Sequence, residues 1–381
     1  MSATIREAAG SLLVVGLAST ELTALERAWL KLIRPGGVIL FRRNIIDAGQ
    51  TRALLDEATG LGARHSVRCV DVEGGTVNRL RDALAPIASA QAVATADRNR
   101  KKKSFLARQH GDLIGHAVKA FGFNTTLAPV VDLTLPEATD VLGSRTTGST
   151  AADVIAYARE FMAGVAGQGV VSCGKHFPGL GGASGDTHFV TPAIARSWEQ
   201  IWNEDSVPYR QLHKQMPMIM MNHAAYPRTP GKNVPASASR FWITETLRKK
   251  IGYKGIVLSD DLEMGGILKF LPVEDAAVEA IRAGSDLLEI CHSAELILRS
   301  YEALISEAER SSAFRKTLLR MASDSGRKRS RLYKASPTAP PSTKALETLR
   351  RDILAFNESV SVQANATSVA DPRATAPAEA S

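Results

Sequence analysis

Cysteine is scarce: the 381 residues hold three, an odd count, and no two are spaced as Cys-x-x-Cys. Cys69, Cys173 and Cys291 each sit inside an apolar run. That pattern excludes a disulfide framework and reads as buried free thiols in a reducing compartment, so a cytoplasmic protein is expected. Long hydrophobic runs are also missing. The N-terminal apolar run, Leu12–Leu17, is far too short to span a membrane, and its flanks read as a strand rather than a signal peptide. No Gly-x-Gly-x-x-Gly follows that run, which removes the usual mark of a dinucleotide site, and no cofactor is called for. Aromatic residues make up only 6% of the chain. None interleaves with the densest basic run, Arg98, Arg100, Lys101, Lys102 and Lys103. The formal charge of +8 is therefore read as a solvated face, with attraction of an anionic substrate as the weaker option. Neither nucleic acid nor membrane is an expected partner. Nothing calls for a second subunit, and a monomer is expected.

What the chain does have is short apolar runs at regular intervals. Leu12–Gly16, Gly37–Phe41, Val67–Val72, Thr125–Leu133, Val170–Cys173, Pro217–Asn222, Gly255–Ser259 and Asp286–Cys291 read as strands buried on both faces. Segments with helical spacing separate most of them: Glu21–Ile33, Ala48–Gly60, Phe105–Phe121, Asp153–Gly167, Thr244–Ile251 and Val273–Ala283. Alternation of this kind predicts a parallel α/β architecture. The polar residues choose between a doubly wound sheet and a barrel. Asp71, Arg145, Lys175, His176, His223, Asp260, Asp261 and His292 fall at or just after strand ends, which is where a (β/α)8 barrel collects its active site. A single catalytic barrel over residues 1–334 is expected. The tail, residues 335–381, opens on a Ser/Thr/Pro/Ala linker, with Ala345–Asn357 as one possible helix and a small, polar, largely disordered remainder.

Three segments carry chemistry. In Lys175–His188, KHFPGLGGASGDTH, a strand feeds Lys175 and His176 into a glycine-rich loop that ends in Asp186 and His188. A carboxylate beside an imidazole fixes its tautomer and raises its basicity, which suits a group that gives and takes a proton. A chance turn or a phosphate loop uses the same glycines. In Gly255–Met264, GIVLSDDLEM, an apolar strand ends abruptly in Asp260 and Asp261. A carboxylate there suits a nucleophile or simply caps the next helix, and the cap is the role expected of Asp261. A metal would need several convergent carboxylates or histidines, and none is expected. In Val70–Arg81, VDVEGGTVNRLR, Asp71 can accept from sugar hydroxyls, while Arg79, like Arg145 farther on, can donate to them or stand in a surface ion pair.

Together these segments resemble glycoside hydrolase family 3, in particular its single-domain bacterial β-N-acetylglucosaminidases of peptidoglycan recycling (NagZ-type). The resemblance rests on DVEGGTVNR (Asp71–Arg79), KHFPGLGGASGDTH and SDDLEM (Ser259–Met264), and spans roughly Ser11 to His292. It implies a (β/α)8 barrel and a retaining hydrolase that releases terminal β-linked N-acetylglucosamine from carbohydrate substrates such as muropeptides. It implies Asp260 as nucleophile, His188 as acid/base and Asp186 as its partner. Asp71, Arg79, Arg145, Lys175 and His176 match the family's sugar-binding positions. Leu180 stands where the family usually has His, and Val72 and Thr76 replace commoner polar and Arg residues, so leaving-group contacts are where the chain departs. A phosphorylase on the same residues and a sugar-binding barrel without activity are the alternative readings.

Overall fold

The computed structural model describes residues 4–99, 105–183, 192–333 and 339–365. Its eight parallel strands are β1 (Leu13–Gly16), β2 (Gly37–Leu40), β3 (Val67–Val70), β4 (Thr125–Thr126), β5 (Val171–Phe177), β6 (Met218–Met221), β7 (Ile256–Asp261) and β8 (Leu287–Ile290). Each pairs with the next in sequence and β8 closes on β1, a barrel in the order the chain alternation predicted. Alternate side chains go to opposite faces. Val14, Ile39, Cys69, Cys173, Met218, Met220, Leu258 and Leu287 pack inside the barrel. Leu13, Val15, Leu40, Val70, Leu288 and Ile290 pack outward beneath the helices. Both faces are buried, which is why the runs are apolar without alternation. All three cysteines are buried and unpaired.

Three of the runs depart clearly from their expected extents. The run at Thr125 keeps ladder pairing only through Thr126, followed by a single bridge from Val130 to Lys175. Pro129 lies between them and has no N–H to give the ladder. The run at Val170 instead continues to Phe177. Its last residues lie against the segment after β4, with Val131 N donating to Lys175 O at 2.7 Å. The third run breaks at Asp71: β3 ends at Val70, and Val72–Gly74 folds back against Val77–Asn78 as a small antiparallel hairpin.

Helices follow their capping chemistry. Thr4 and Thr23 each accept from the backbone three residues on, and Glu7 and Glu26 reciprocate. The helices Ala90–Asn99, Ala294–Arg310 and Ser312–Leu332 stand outside the segments the periodicity singled out. In the tail, a helix runs from Thr343 past the expected end at Asn357 to Asn365. Leu349, Ile353, Phe356 and Val360 are buried along one side of it, and Phe356 stacks on His110 at 5.7 Å. No helix among the described residues is long and apolar enough to cross a membrane.

Candidate active site

The C-terminal ends of the strands open into a cavity of about 490 Å³ lined by Asp71, Glu73, Arg79, Arg145, Lys175, His176, Asp260, Asp261, Glu289 and His292, among others. Six of the eight residues singled out from the sequence thus meet in one place: Asp71, Arg79, Arg145, Lys175, His176 and Asp260. The other two, Asp186 and His188, lie outside the described residues.

The wall is an ion-pair network. Lys175 Nζ, on β5, sits 2.9 Å from Asp71 Oδ1 and 2.6 Å from Glu73 Oε1. Arg145 closes a fork on Glu73, with Nε to Oε2 at 2.8 Å and Nη2 to Oε1 at 2.9 Å. Arg79 stands 3.6 Å from Asp71 Oδ2. Burial works to raise the Glu73 carboxyl, but Arg145 and Lys175 outweigh it and hold the group well below the usual carboxylate range. The same balance, with Lys175 and Arg79 as the cations, lowers Asp71. Burial disfavours the Lys175 ammonium, yet Asp71 and Glu73 push its proton affinity up. At neutral pH these are full charges held by one another, presenting both acceptors and donors to a polyhydroxylated ligand. The hairpin after β3 makes this possible. Gly74 and Gly75 have φ of +93° and +60°, and a Cβ on Gly74 would lie 2.1 Å from Ala88 O. Only glycine lets the turn lie this close to the neighbouring backbone and aim Glu73 inward.

His176 is oriented from behind. Its Nδ1 lies 2.7 Å from Asp132 Oδ2, and Asp132 also accepts from the His176 and Leu180 backbone N–H groups. Fixing Nδ1 as the donor leaves Nε2 to face the cavity, 3.4 Å from Arg145 Nη2. The Lys175–His176 peptide is cis. Asn222 donates to His176 O, and Tyr226 donates to Gly179 O at 2.7 Å; both tie down the base of the glycine-rich loop. Leu180, one of the three departures from the family pattern, is 3% exposed and packs in the cluster that holds Leu133 and Ile194.

Asp260 and Asp261 end β7 in different settings. Asp260 Oδ1 accepts from Asp261 N–H at 3.0 Å, and the carboxylate faces the cavity. Asp261 does not cap the next helix as expected. Its Oδ1 accepts from Glu263 N–H inside the turn, and the helix Gly265–Leu268 starts from Met264. The turn between strand and helix takes up the acid first. Burial raises the Asp261 carboxyl to about 7, against the Glu263 N–H that favours its ionised form. His292 lines the cavity, with Nδ1 3.1 Å from Arg43 Nη1. His223 is buried behind it, between Ser237 Oγ and the Asp261 carbonyl. Of the basic run, Arg98 donates to Thr147 O; residues 100–104 lie outside the described residues.

The sequence reading assigned no role to Glu73, Asp132 or Glu289. Glu73 was visible inside the Glu-Gly-Gly motif. Asp132 and His176 are 44 positions apart, and no local pattern joins them. Glu289 is hidden in an apolar strand. Among the described residues no group of three or more His, Cys, Asp or Glu side chains could hold a metal ion.

Residues 4–322 match the family described as Glycosyl hydrolase family 3 N terminal domain. A beta-hexosaminidase of Idiomarina loihiensis is 32% identical over 312 residues, covering 82% of this chain and 93% of that protein. One of Chromobacterium violaceum is 35% identical over 284 residues, covering 74% and 79%. The structure of a glycoside hydrolase family 3 beta-N-acetylglucosaminidase from Paenibacillus sp. str. FPU-7 shares 26% identity, with a TM-score of 0.84 over 94% of this chain and 69% of that one. NagZ from Neisseria gonorrhoeae, solved in complex with N-trifluoroacetyl-D-glucosamine, shares 26% identity, with a TM-score of 0.73 over 93% of this chain and 98% of that one.

Proposed function

The chain belongs to glycoside hydrolase family 3, and from that premise we propose that it is a retaining exo-β-N-acetylglucosaminidase acting on peptidoglycan-derived muropeptides. The observation that carries the reading is the Asp260 carboxylate at the end of β7, facing a cavity whose wall is the Asp71–Lys175–Glu73–Arg145 network. Such a wall grips sugar hydroxyls through charged donors and acceptors, and the Asp260 carboxylate, which stands outside that network, is left for chemistry. The beta-hexosaminidase relatives support N-acetylhexosaminide as the substrate.

The reaction takes two displacements. Asp260 attacks the anomeric carbon as the bond to the leaving oxygen breaks, and the His188 imidazolium supplies that oxygen's proton. The sugar is then an ester on Asp260. His188, now neutral, takes a proton from water, the water oxygen attacks the anomeric carbon, and Asp260 leaves as carboxylate. Asp186 holds the imidazole throughout. An imidazole needs less tuning than a carboxylic acid to serve in both directions near neutral pH. The enzyme acts as a cytoplasmic monomer without cofactor.

The test is release of nitrophenol from p-nitrophenyl N-acetyl-β-glucosaminide, with and without phosphate. Release that falls about 10⁴-fold in Asp260→Ala supports the reading. Sugar phosphate among the products would replace hydrolase by phosphorylase, and no release from the wild-type protein would replace it by a sugar-binding barrel.

A further inference from the structure

One acid in the cavity has no place in the chemistry above. Glu289 lies on β8 between Leu287 and Cys291, and period-two alternation turns all three into the barrel. It is 2% exposed, yet it lines the cavity floor with Ile39, Leu127, Met220 and Cys291. Its backbone is fixed: Glu289 N–H donates to Ser259 Oγ at 3.0 Å, and its carbonyl accepts from Leu262 N–H at 2.9 Å. Its side chain is nearly unpartnered. Among the described residues the one group bonded to the carboxyl is the Cys69 thiol, a weak donor 3.8 Å from Oε1.

No cation among the described residues pairs with it. Lys175 is committed to Asp71 and Glu73 at 2.9 and 2.6 Å. The groups around Glu289 are mostly acidic or apolar: Cys69 and Asp71 at β3, Cys173 and Lys175 on β5, Asp260 and Asp261 on β7, and Cys291 on its own strand. Burial first, then the charges of Asp71, Asp260 and Asp261, push the carboxyl well above its usual range. Both causes favour the protonated form, and among the described residues no side chain other than the cysteine hydrogen-bonds to the group. A buried O–H aimed into a sugar-sized cavity has the ligand as its acceptor.

We propose that Glu289 is a specificity-determining residue, a carboxylic acid that donates a hydrogen bond to a hydroxyl of the glycosyl ring at the cavity floor. The proposal rests on the glycosidase reading and deepens it. Asp71 accepts at the same end of the cavity and Glu289 donates, so the hydroxyl between them is read in both senses. A ring that lacks that hydroxyl, or carries it alkylated, leaves one buried partner unmet. Discrimination against such a ring is strong, since rejecting an analogue by an unpaired buried group is worth far more than rejecting it by size.

The test compares wild type, Glu289→Gln and Glu289→Leu on p-nitrophenyl N-acetyl-β-glucosaminide and on its 3-, 4- and 6-deoxy analogues. Gln keeps a neutral donor, so kcat/KM stays within about threefold of wild type; Leu keeps the volume and loses roughly tenfold to a hundredfold, mostly in KM. One deoxy analogue is poor for wild type and no poorer for Glu289→Leu, which identifies the hydroxyl. As pH rises and Glu289 ionises beside Asp260, wild-type activity falls; Glu289→Gln lacks that fall. Wild-type kcat/KM in Glu289→Leu, or equal losses on every analogue in both proteins, would overturn the proposal. Should wild type cleave nothing, the glycosidase reading fails, and Glu289 is judged by calorimetric binding of free N-acetylglucosamine. Weaker binding in the Leu variant supports its role, and equal binding overturns it.

Discussion

Glu73→Ala is the most informative single change to the wall. The carboxylate is 3% exposed and bridges two cations, Arg145 through two hydrogen bonds and Lys175 through one. Among the described residues, removing it leaves Lys175 paired with Asp71 and Arg145 without an ion-pair partner, with His176 Nε2 3.4 Å away. Breaking a buried pair by deleting one partner costs about 3–5 kcal/mol, because the remaining charge stays desolvated. In a domain of this size that lowers Tm by roughly 5–15 °C. The pH dependence changes too. The folded carboxyl binds its proton well below the ordinary 4.5. Its stabilisation is therefore complete above pH 4.5 and is lost as pH falls toward the folded value; the variant lacks that acid limb. With both cations free to turn, KM is expected to rise about tenfold to a hundredfold while kcat falls less. Thermal unfolding between pH 3 and 8, together with steady-state kinetics, reads all three effects. A Tm within about 2 °C of wild type with unchanged KM would refute the reasoning, and would mean the network is too well solvated to matter.

Gly74→Ala should destabilise by about 1–3 kcal/mol, since φ is +93° and the added Cβ would meet Ala88 O at 2.1 Å; a denaturant midpoint equal to wild type would contradict this. His110 is held by burial at about 3 instead of 6.5. The unfolded chain takes up that proton first, so stability is complete above pH 6.5 and declines toward pH 3, by at most about 1.4 kcal/mol per unit. His110→Phe should flatten that slope in urea titrations, and an unchanged slope would assign it elsewhere. Phe356→Ala removes a ring 2% exposed and should cost about 3–5 kcal/mol at the tail's contact with the barrel. Faster hydrogen exchange confined to Thr343–Asn365 is expected, whereas equal acceleration in the barrel strands would show that the tail unfolds with the barrel. His188→Ala should abolish turnover of poor leaving groups and spare activated aryl glycosides more; wild-type rates on both would remove His188 from the mechanism.

The barrel was legible because its strands are buried on both faces, and eight apolar runs punctuated by polar ends leave few other architectures. Strand lengths were less legible. Pro129 marks an interruption in the run from Thr125, but not that ladder pairing already ends at Thr126, and only neighbouring backbone carries β5 on to Phe177. Site residues at strand ends were visible because a polar group ending an apolar run is conspicuous. Glu289 was invisible for the converse reason: one acid within Leu287–Ile290 does not disturb the strand pattern, and its meaning comes from Asp71, Asp260 and Lys175 on other strands. Asp132 depends on its distance to His176, which sequence spacing does not encode. The tail helix shows both sides. Leu349, Ile353, Phe356 and Val360 recur at helical spacing, but that their stripe meets the helices Ala90–Asn99 and Phe105–Ala120 is a tertiary fact.

The central claim is that Asp260 becomes covalently attached to the sugar. The protein would be exposed to an activated, slowly hydrolysed fluorinated N-acetylglucosaminyl donor, quenched in acid, and its peptides mapped by mass spectrometry. One glycosyl adduct on the peptide containing Asp260, absent from Asp260→Ala, is the result this account expects. An adduct on Asp261 or elsewhere, or turnover of the donor with inversion at the anomeric carbon, would contradict it.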